Sequence, residues 1–247
     1  MEKYEYDAMY KYENNHWWYL VLDDLIKKYL DNKINDDKIN TLHIFDAGCG
    51  TGRMIKLLSS YGEVHGIDFS EEAVNFSRKR GCKNVKKEDL NKWNPKNEKY
   101  DVITCLDVLY HSNIKDDLDV MKVFYRALKS DGILIMNVPA FDFLKRNHDL
   151  KVSTKKRYIK KILKNNLKKI GFKIEIQTYR LPLLFFVISF KKIIEFFLKS
   201  TDETSELKEL PTFFNRLLFF VHRLENRIIL SRVSIPFGSS VFVVCRK

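Results

Sequence analysis

From about residue 41 onward, short apolar runs alternate with segments whose apolar positions recur every three or four residues, the signature of strands leading into helices. Runs at 41–46, 63–68, 100–106 and 133–138, with a shorter one at 84–87, predict strands; 53–60, 71–79 and 118–128 predict the helices between them. Such alternation points to βα units and a parallel, doubly wound sheet. Ser70 ahead of Glu71 and Glu72 supplies an N-cap and an acidic first turn. Asp131 and Gly132 mark a turn into the next strand. Two further strands are expected at 173–179 and 239–245.

Outside this alternation the pattern changes. Residues 1–40 read as two helical pieces around His16, Trp17, Trp18 and Tyr19, a candidate helical lid whose tryptophans also suit a core. Between 157 and 170, Ile159, Ile162, Leu163, Leu167 and Ile170 fall on one helical face, with Lys160, Lys161, Lys164, Lys168 and Lys169 spread over the other. Residues 181–235 form an insertion rich in Phe and Leu, with apolar runs at 181–190, 193–198 and 213–220 edged by Lys or Arg and a polar, acidic loop at 201–211. The expected organisation is a lid over 1–40, a core of 41–180 plus 236–247, and a hydrophobic helical insertion over 181–235.

A chain of 247 residues with 45% apolar content suffices for one well-cored domain with an appendage. The 4 cysteines, Cys49, Cys82, Cys105 and Cys245, form no CxxC pair, so neither a disulfide framework nor a zinc site is suggested, and a reducing cytoplasm is the expected setting. Glu2, Lys3, Glu5 and Asp7 stand where a signal peptide would be apolar, and no apolar run reaches the roughly 18 residues a membrane span needs. The formal charge of +12 is uneven: residues 145–173 hold 12 basic residues against 1 acidic. Nucleic acid, an anionic lipid surface or a phosphorylated substrate would each complement such a stretch, and a solvated helix face would also account for it.

Candidate chemistry begins at Asp46-Ala47-Gly48-Cys49-Gly50-Thr51-Gly52, which follows an apolar strand and opens a helix. Its glycines permit a tight turn and close approach of the backbone to a ligand. Arg53 occupies the place of the third small residue of a dinucleotide fingerprint, and no Lys-Ser/Thr follows as a P-loop requires. Asp68, ending the next strand, is placed to accept both hydroxyls of a ribose. Arg53 is expected to point either to solvent or toward a ligand carboxylate.

These residues resemble the class I S-adenosylmethionine-dependent methyltransferases, over roughly residues 41–180 and the last strand. The resemblance implies a Rossmann-like, mostly parallel seven-stranded sheet whose last strand is antiparallel, and S-adenosylmethionine as cofactor. It also implies a glycine loop beside the methionine moiety, Asp68 on the ribose and Asp89 on the adenine amino group. The implied cofactor-binding set is Asp46, Gly48, Gly50, Gly52, Asp68, Phe69, Asp89, Leu90 and Asp107. The His-Trp-Trp-Tyr segment is similar to a subgroup in which it folds over the cofactor, although Leu20 to Leu22 stand where that subgroup carries arginines. The same subgroup places a His-Asp pair, here His148 and Asp149, in the acceptor pocket.

Methyl transfer is an in-line displacement, in which positioning supplies much of the rate and a base matters only for a protonated nucleophile. His111, after the fourth strand, is a candidate base, since imidazole ordinarily titrates near 6.5; packing or capping the next helix is the other role open to it. His148 is a second candidate, with Asp149 to orient its ring, or a plain surface residue. The expected activity is methyl transfer to oxygen or nitrogen of a small or lipid-linked acceptor. The insertion would then serve as a peripheral membrane foot or substrate cover, or as packing or dimer surface. A nucleic-acid methyltransferase and a cofactor-binding peripheral membrane protein without turnover are the alternatives. The monomer and the homodimer both remain open.

Overall fold

The computed structural model describes residues 3–198 and 210–247. Helices α1 (Lys3–Tyr12) and α2 (Trp17–Asp31) precede β1 (Leu42–Ala47), α3 (Arg53–Leu58), β2 (Gly62–Asp68), α4 (Glu71–Lys79), β3 (Val85–Lys87) and β4 (Tyr100–Leu106). There follow α5 (Asp117–Ala127), β5 (Leu128–Pro139), α6 (Asn147–Lys151), α7 (Lys160–Ile170), β6 (Lys173–Arg180), α8 (Pro182–Leu198), α9 (Thr212–Leu230) and β7 (Ser240–Arg246). The strands form one sheet in the order β3-β2-β1-β4-β5-β7-β6, with β7 antiparallel to both neighbours and the other pairings parallel. The doubly wound, Rossmann-like expectation is thereby met. The winding reverses between β1 and β4, where open sheets of this kind place their ligands.

Strands buried on both faces need continuous apolar sequence, and β1 and β7 have it: Ile44, Phe45 and Ala47, then Val241 to Cys245, are all buried. One face is closed by α5 and α7 through Phe124, Leu163 and Leu167, the other by α2, α3 and α9 through Leu25, Ile26, Leu58 and Ile229. Segment 1–40 is therefore partly core: Val21, Leu25, Ile26 and Leu30 are inaccessible to solvent. Its partner is the insertion. Trp17 stacks on His222 of α9 at 5.1 Å between ring centroids, and Asn226 donates to the Val21 carbonyl.

Three local differences from the expected elements have physical causes. Strand β5 starts at Leu128, five residues early, because Asp131 adopts a left-handed φ of 60° and the pairing shifts from Tyr100↔Leu128 to Val102↔Ile133, absorbing the expected turn as a bulge. Helix α7 starts only at Lys160, because Tyr158 is held extended beside Pro139 and Phe141, with its hydroxyl donating to Asp117. Of the apolar face proposed for that helix, Leu163 and Leu167 are buried, whereas Ile159 and Ile162 are 45% and 57% exposed. Most of the loop at 201–211, and the side chains at 193–198, lie outside the described residues.

Candidate functional site

The loop after β1 turns tightly because Gly48, Gly50 and Gly52 all take left-handed φ values, 76°, 53° and 84°. The amides of Gly48 and Cys49 both donate to the Ile67 carbonyl, which ties the loop to the end of β2. Asp68 completes the knot: one carboxylate oxygen accepts from the Gly50 amide and the other from the Ser70 amide, each at 2.9 Å. Burial raises its pKa, against the pull of those amides. Each oxygen keeps acceptor capacity toward the cavity that Asp68 lines. Asp89 is held by the Asn91 amide and side chain, with Leu90 buried beside it and Phe69 exposed across the opening.

Gly52 does a different job. It does not line the cavity; a Cβ there would lie 2.7 Å from Ser77 Oγ, so its role is close packing of the loop on α4. Gly48 is constrained by the site itself, since a Cβ would fall 2.3 Å from a methyl of Val108. Gly48→Ala is expected to cost about 2–3 kcal/mol, combining a left-handed non-glycine residue with overpacking. Urea unfolding should show roughly half of that loss recovered in Gly48→Ala/Val108→Ala, which removes the clash and leaves the backbone penalty.

At the neighbouring strand ends, Asp46 accepts from Thr104 Oγ1 at 2.7 Å, and burial pushes its carboxyl up to about 6. Asp107, itself at φ 56°, is gripped by the Asn137 amide at 2.9 and 3.1 Å; Asn137 is in turn oriented by Arg180 Nη1 at 3.2 Å. Burial raises Asp107 to about 6 as well. His111 stacks on Tyr110 at 4.5 Å between centroids, and burial drives its pKa down to about 4. It is therefore neutral across the physiological range, where the sequence suggested titration near 6.5.

One cavity group, Glu13, was not singled out in the sequence although it lies in the expected lid. Buried Glu13, just after α1, accepts from Thr51 of the glycine loop and pairs with Arg80 and Arg53. Arg53 also pairs with Asp23 of α2 and lies over the Tyr19 ring at 4.9 Å. It is thus turned inward and neutralised, and the solvent-facing alternative fails because α2 brings an acid and an aromatic onto it. The aromatic cluster at 16–19 was the one sequence signal that α2 belongs to the site.

Between α6 and α7, Arg157 binds Asp149 through two parallel hydrogen bonds of 2.9 Å, and the Arg146 amide adds a third at 2.8 Å. The Asp149 carboxylate is thereby committed to arginine; the side chain of His148 lies outside the described residues. Asp46, Gly48, Gly50, Asp68, Phe69, Asp89, Leu90, Asp107, His111 and Asp149 all line one cavity of about 960 Å³. Leu184 and Ile188 of α8 and Leu218 of α9 line the same cavity, Leu184 and Leu218 packing against the cluster of Trp17, Val21 and Leu181. Among the described residues there is no cluster of three or more His, Cys, Asp or Glu arranged to hold a metal.

A family described as a methyltransferase domain matches residues 45–136. A ubiquinone biosynthesis O-methyltransferase of Haemophilus ducreyi is 28% identical over 128 residues, 47% of this chain and 52% of the relative. An uncharacterized protein of Methanocaldococcus jannaschii is 31% identical over 166 residues, 67% of this chain and 55% of the relative. The chain thus spans about half the length of these curated relatives. In structure it is similar to an S-adenosylmethionine dependent methyltransferase from Mesorhizobium loti, with a TM-score of 0.58 and 17% identity over 89% of this chain and 96% of that one.

Proposed function

We propose, from the premise that this chain belongs to the class I S-adenosylmethionine-dependent methyltransferases, that it transfers a methyl group to oxygen or nitrogen of a small or lipid-linked acceptor at an anionic membrane surface. The observation that carries this reading is the continuity of the cavity, from the Asp68 and glycine-loop end to an apolar end formed by the insertion helices. The first end suits an adenosyl ligand: a carboxylate with acceptor capacity for a diol, a backbone turn that admits no Cβ at Gly48, and no lysine in the glycine loop for a pyrophosphate. Bound there, S-adenosylmethionine supplies an electrophilic methyl on a sulfonium. Asp68 would hold the ribose and Asp89 the adenine, while α1 and α2 cover the opening and exclude water.

The apolar end favours an acceptor with a hydrophobic portion, and the outer surface of the same helices favours a lipid environment. On α9, Phe213, Leu217, Phe220, Val221, Leu224 and Ile228 form an exposed stripe at helical spacing; Leu183, Phe186, Val187 and Phe190 do so on α8. Arg216 and Arg227 flank the first, which suits anionic headgroups, while Arg223 pairs with Asp24 of α2. No helix of the described residues is long and apolar enough to cross a membrane. The basic stretch at 145–173 contributes less to such a surface than its charge suggests. Lys155 donates to the Ile114 and Lys115 carbonyls, Lys156 and Arg157 pair with Asp117 and Asp149, and α7 packs on the sheet face opposite α9.

Incubation with methyl-labelled S-adenosylmethionine and separate lipid, sugar and RNA pools tests the acceptor class: label is expected in the lipid pool, and label confined to RNA would overturn the reading. Co-sedimentation with anionic but not neutral liposomes is expected; equal recovery in both supernatants removes the membrane component. His111, as a neutral base beside the reacting end, is expected to matter for turnover alone. His111→Ala should lower kcat by about a hundredfold with unchanged cofactor affinity. The wild-type pH–rate profile should show no inflection near 6.5 from this residue.

A further inference from the structure

The cavity wall contains a carboxylate that the described residues leave without a partner. Glu5, on α1, is 1% exposed, lines the cavity, and among the described residues has no hydrogen-bond partner on either carboxylate oxygen. An uncompensated buried carboxylate is expensive, so a fold that keeps one beside a ligand cavity is poised for a cationic ligand group. The basic groups on the same wall are already committed. Arg53 serves Glu13 and Asp23, Arg157 serves Asp149, Lys87 pairs with Glu71, and Arg146 is engaged as well. The His16 ring accepts the Trp18 amide through Nδ1.

Neighbouring contacts locate the carboxylate along the ligand. Tyr6, the next residue, hydrogen-bonds Ser70 and lies within electrostatic reach of Asp68, and the Met9 methyl lies 2.8 Å from where a Gly50 Cβ would stand. Tyr19 is within reach of both Glu5 and Asp107. Glu5 therefore belongs to the stretch between the ribose clamp and the end of β4, where the proposed cofactor carries its methionyl arm past the glycine loop. We propose that Glu5 is the counter-charge for a cationic centre on that arm, the sulfonium or the α-ammonium. The inference rests on the methyltransferase reading given above.

Calorimetric titration of the wild type and Glu5→Gln with three ligands tests it. S-Adenosylmethionine carries both cations, S-adenosylhomocysteine only the ammonium, and 5′-methylthioadenosine neither. Glu5→Gln is expected to weaken S-adenosylmethionine at least tenfold and to leave 5′-methylthioadenosine unchanged. Retained affinity for S-adenosylhomocysteine assigns the sulfonium, and a parallel loss assigns the ammonium. Unchanged S-adenosylmethionine affinity, or an equal loss for 5′-methylthioadenosine, overturns the proposal while leaving the methyltransferase reading in place. Failure of the wild type to bind S-adenosylmethionine overturns both. Thermal melting without ligand adds a second readout: Glu5→Gln should melt at or above the wild type, and a lower melting temperature would show that the carboxylate is already satisfied in the free protein.

Discussion

Asp68→Ala is expected to reduce affinity for S-adenosylmethionine by about a thousandfold. The wild-type carboxylate is fixed by two backbone amides at 2.9 Å and lines the cavity. Two charge-assisted hydrogen bonds to a ribose diol, at about 1.5–3 kcal/mol each, give about 3–6 kcal/mol. The substitution also releases the Gly50 amide and with it the anchored form of the glycine loop, so affinity for S-adenosylhomocysteine should fall in parallel. Calorimetry decides the matter, and an affinity within threefold of the wild type would remove the nucleoside from this end of the cavity. Asp68→Asn, which retains one acceptor oxygen, should fall between the two.

Arg157→Ala should produce the largest change in stability, about 3–5 kcal/mol by urea unfolding at pH 7. The side chains of Arg157 and Asp149 are only 7% and 6% exposed, so removal of the cation strands a buried carboxylate with the Arg146 amide and Thr154. Burial alone would raise the Asp149 pKa, but its hydrogen bonds to Arg157 and the Arg146 amide outweigh this and hold it below the ordinary value. A depressed folded-state pKa means that the contribution is complete above about pH 4 and disappears as falling pH protonates the carboxylate. The gap between wild type and variant should therefore be constant from pH 5 to 8 and narrow in stronger acid. Asp46 and Asp107 carry the opposite sign. Raised to about 6, they favour the folded state below about pH 4, and that contribution is lost as pH rises through 6. A gap that persists undiminished at pH 2.5 would show that Arg157 acts through packing alone.

The glycine-loop end of the cavity was readable in the chain because its geometry is local. A tight turn after an apolar strand requires glycines at Gly48 and Gly50, and an acid ending the next parallel strand must lie beside that turn, so Asp68 follows from register. Gly52 looked like part of the same device, yet its constraint comes from Ser77, which no spacing rule reveals. His111 was placed at the cavity by its position after β4, but its pKa near 4 depends on burial contributed by the surrounding chain.

The charge pattern divides in the same way. Local composition exposes the concentration of cations at 145–173, while only the folded chain shows that Lys155, Lys156 and Arg157 are spent on its own carbonyls and carboxylates. Hydrophobic periodicity and the glycine–acid spacing determined the sheet, its winding and the glycine-loop end of the cavity, because each depends on residues close together in sequence or aligned by strand register. Tertiary structure alone decided that Glu13 and Asp23 neutralise Arg53, that α9 stacks on α2 through Trp17 and His222, and that Glu5 stands in the cavity wall with no partner among the described residues. Those contacts join segments up to about 200 residues apart, and what brings them together is the burial of apolar surface, which specifies no polar partner in advance.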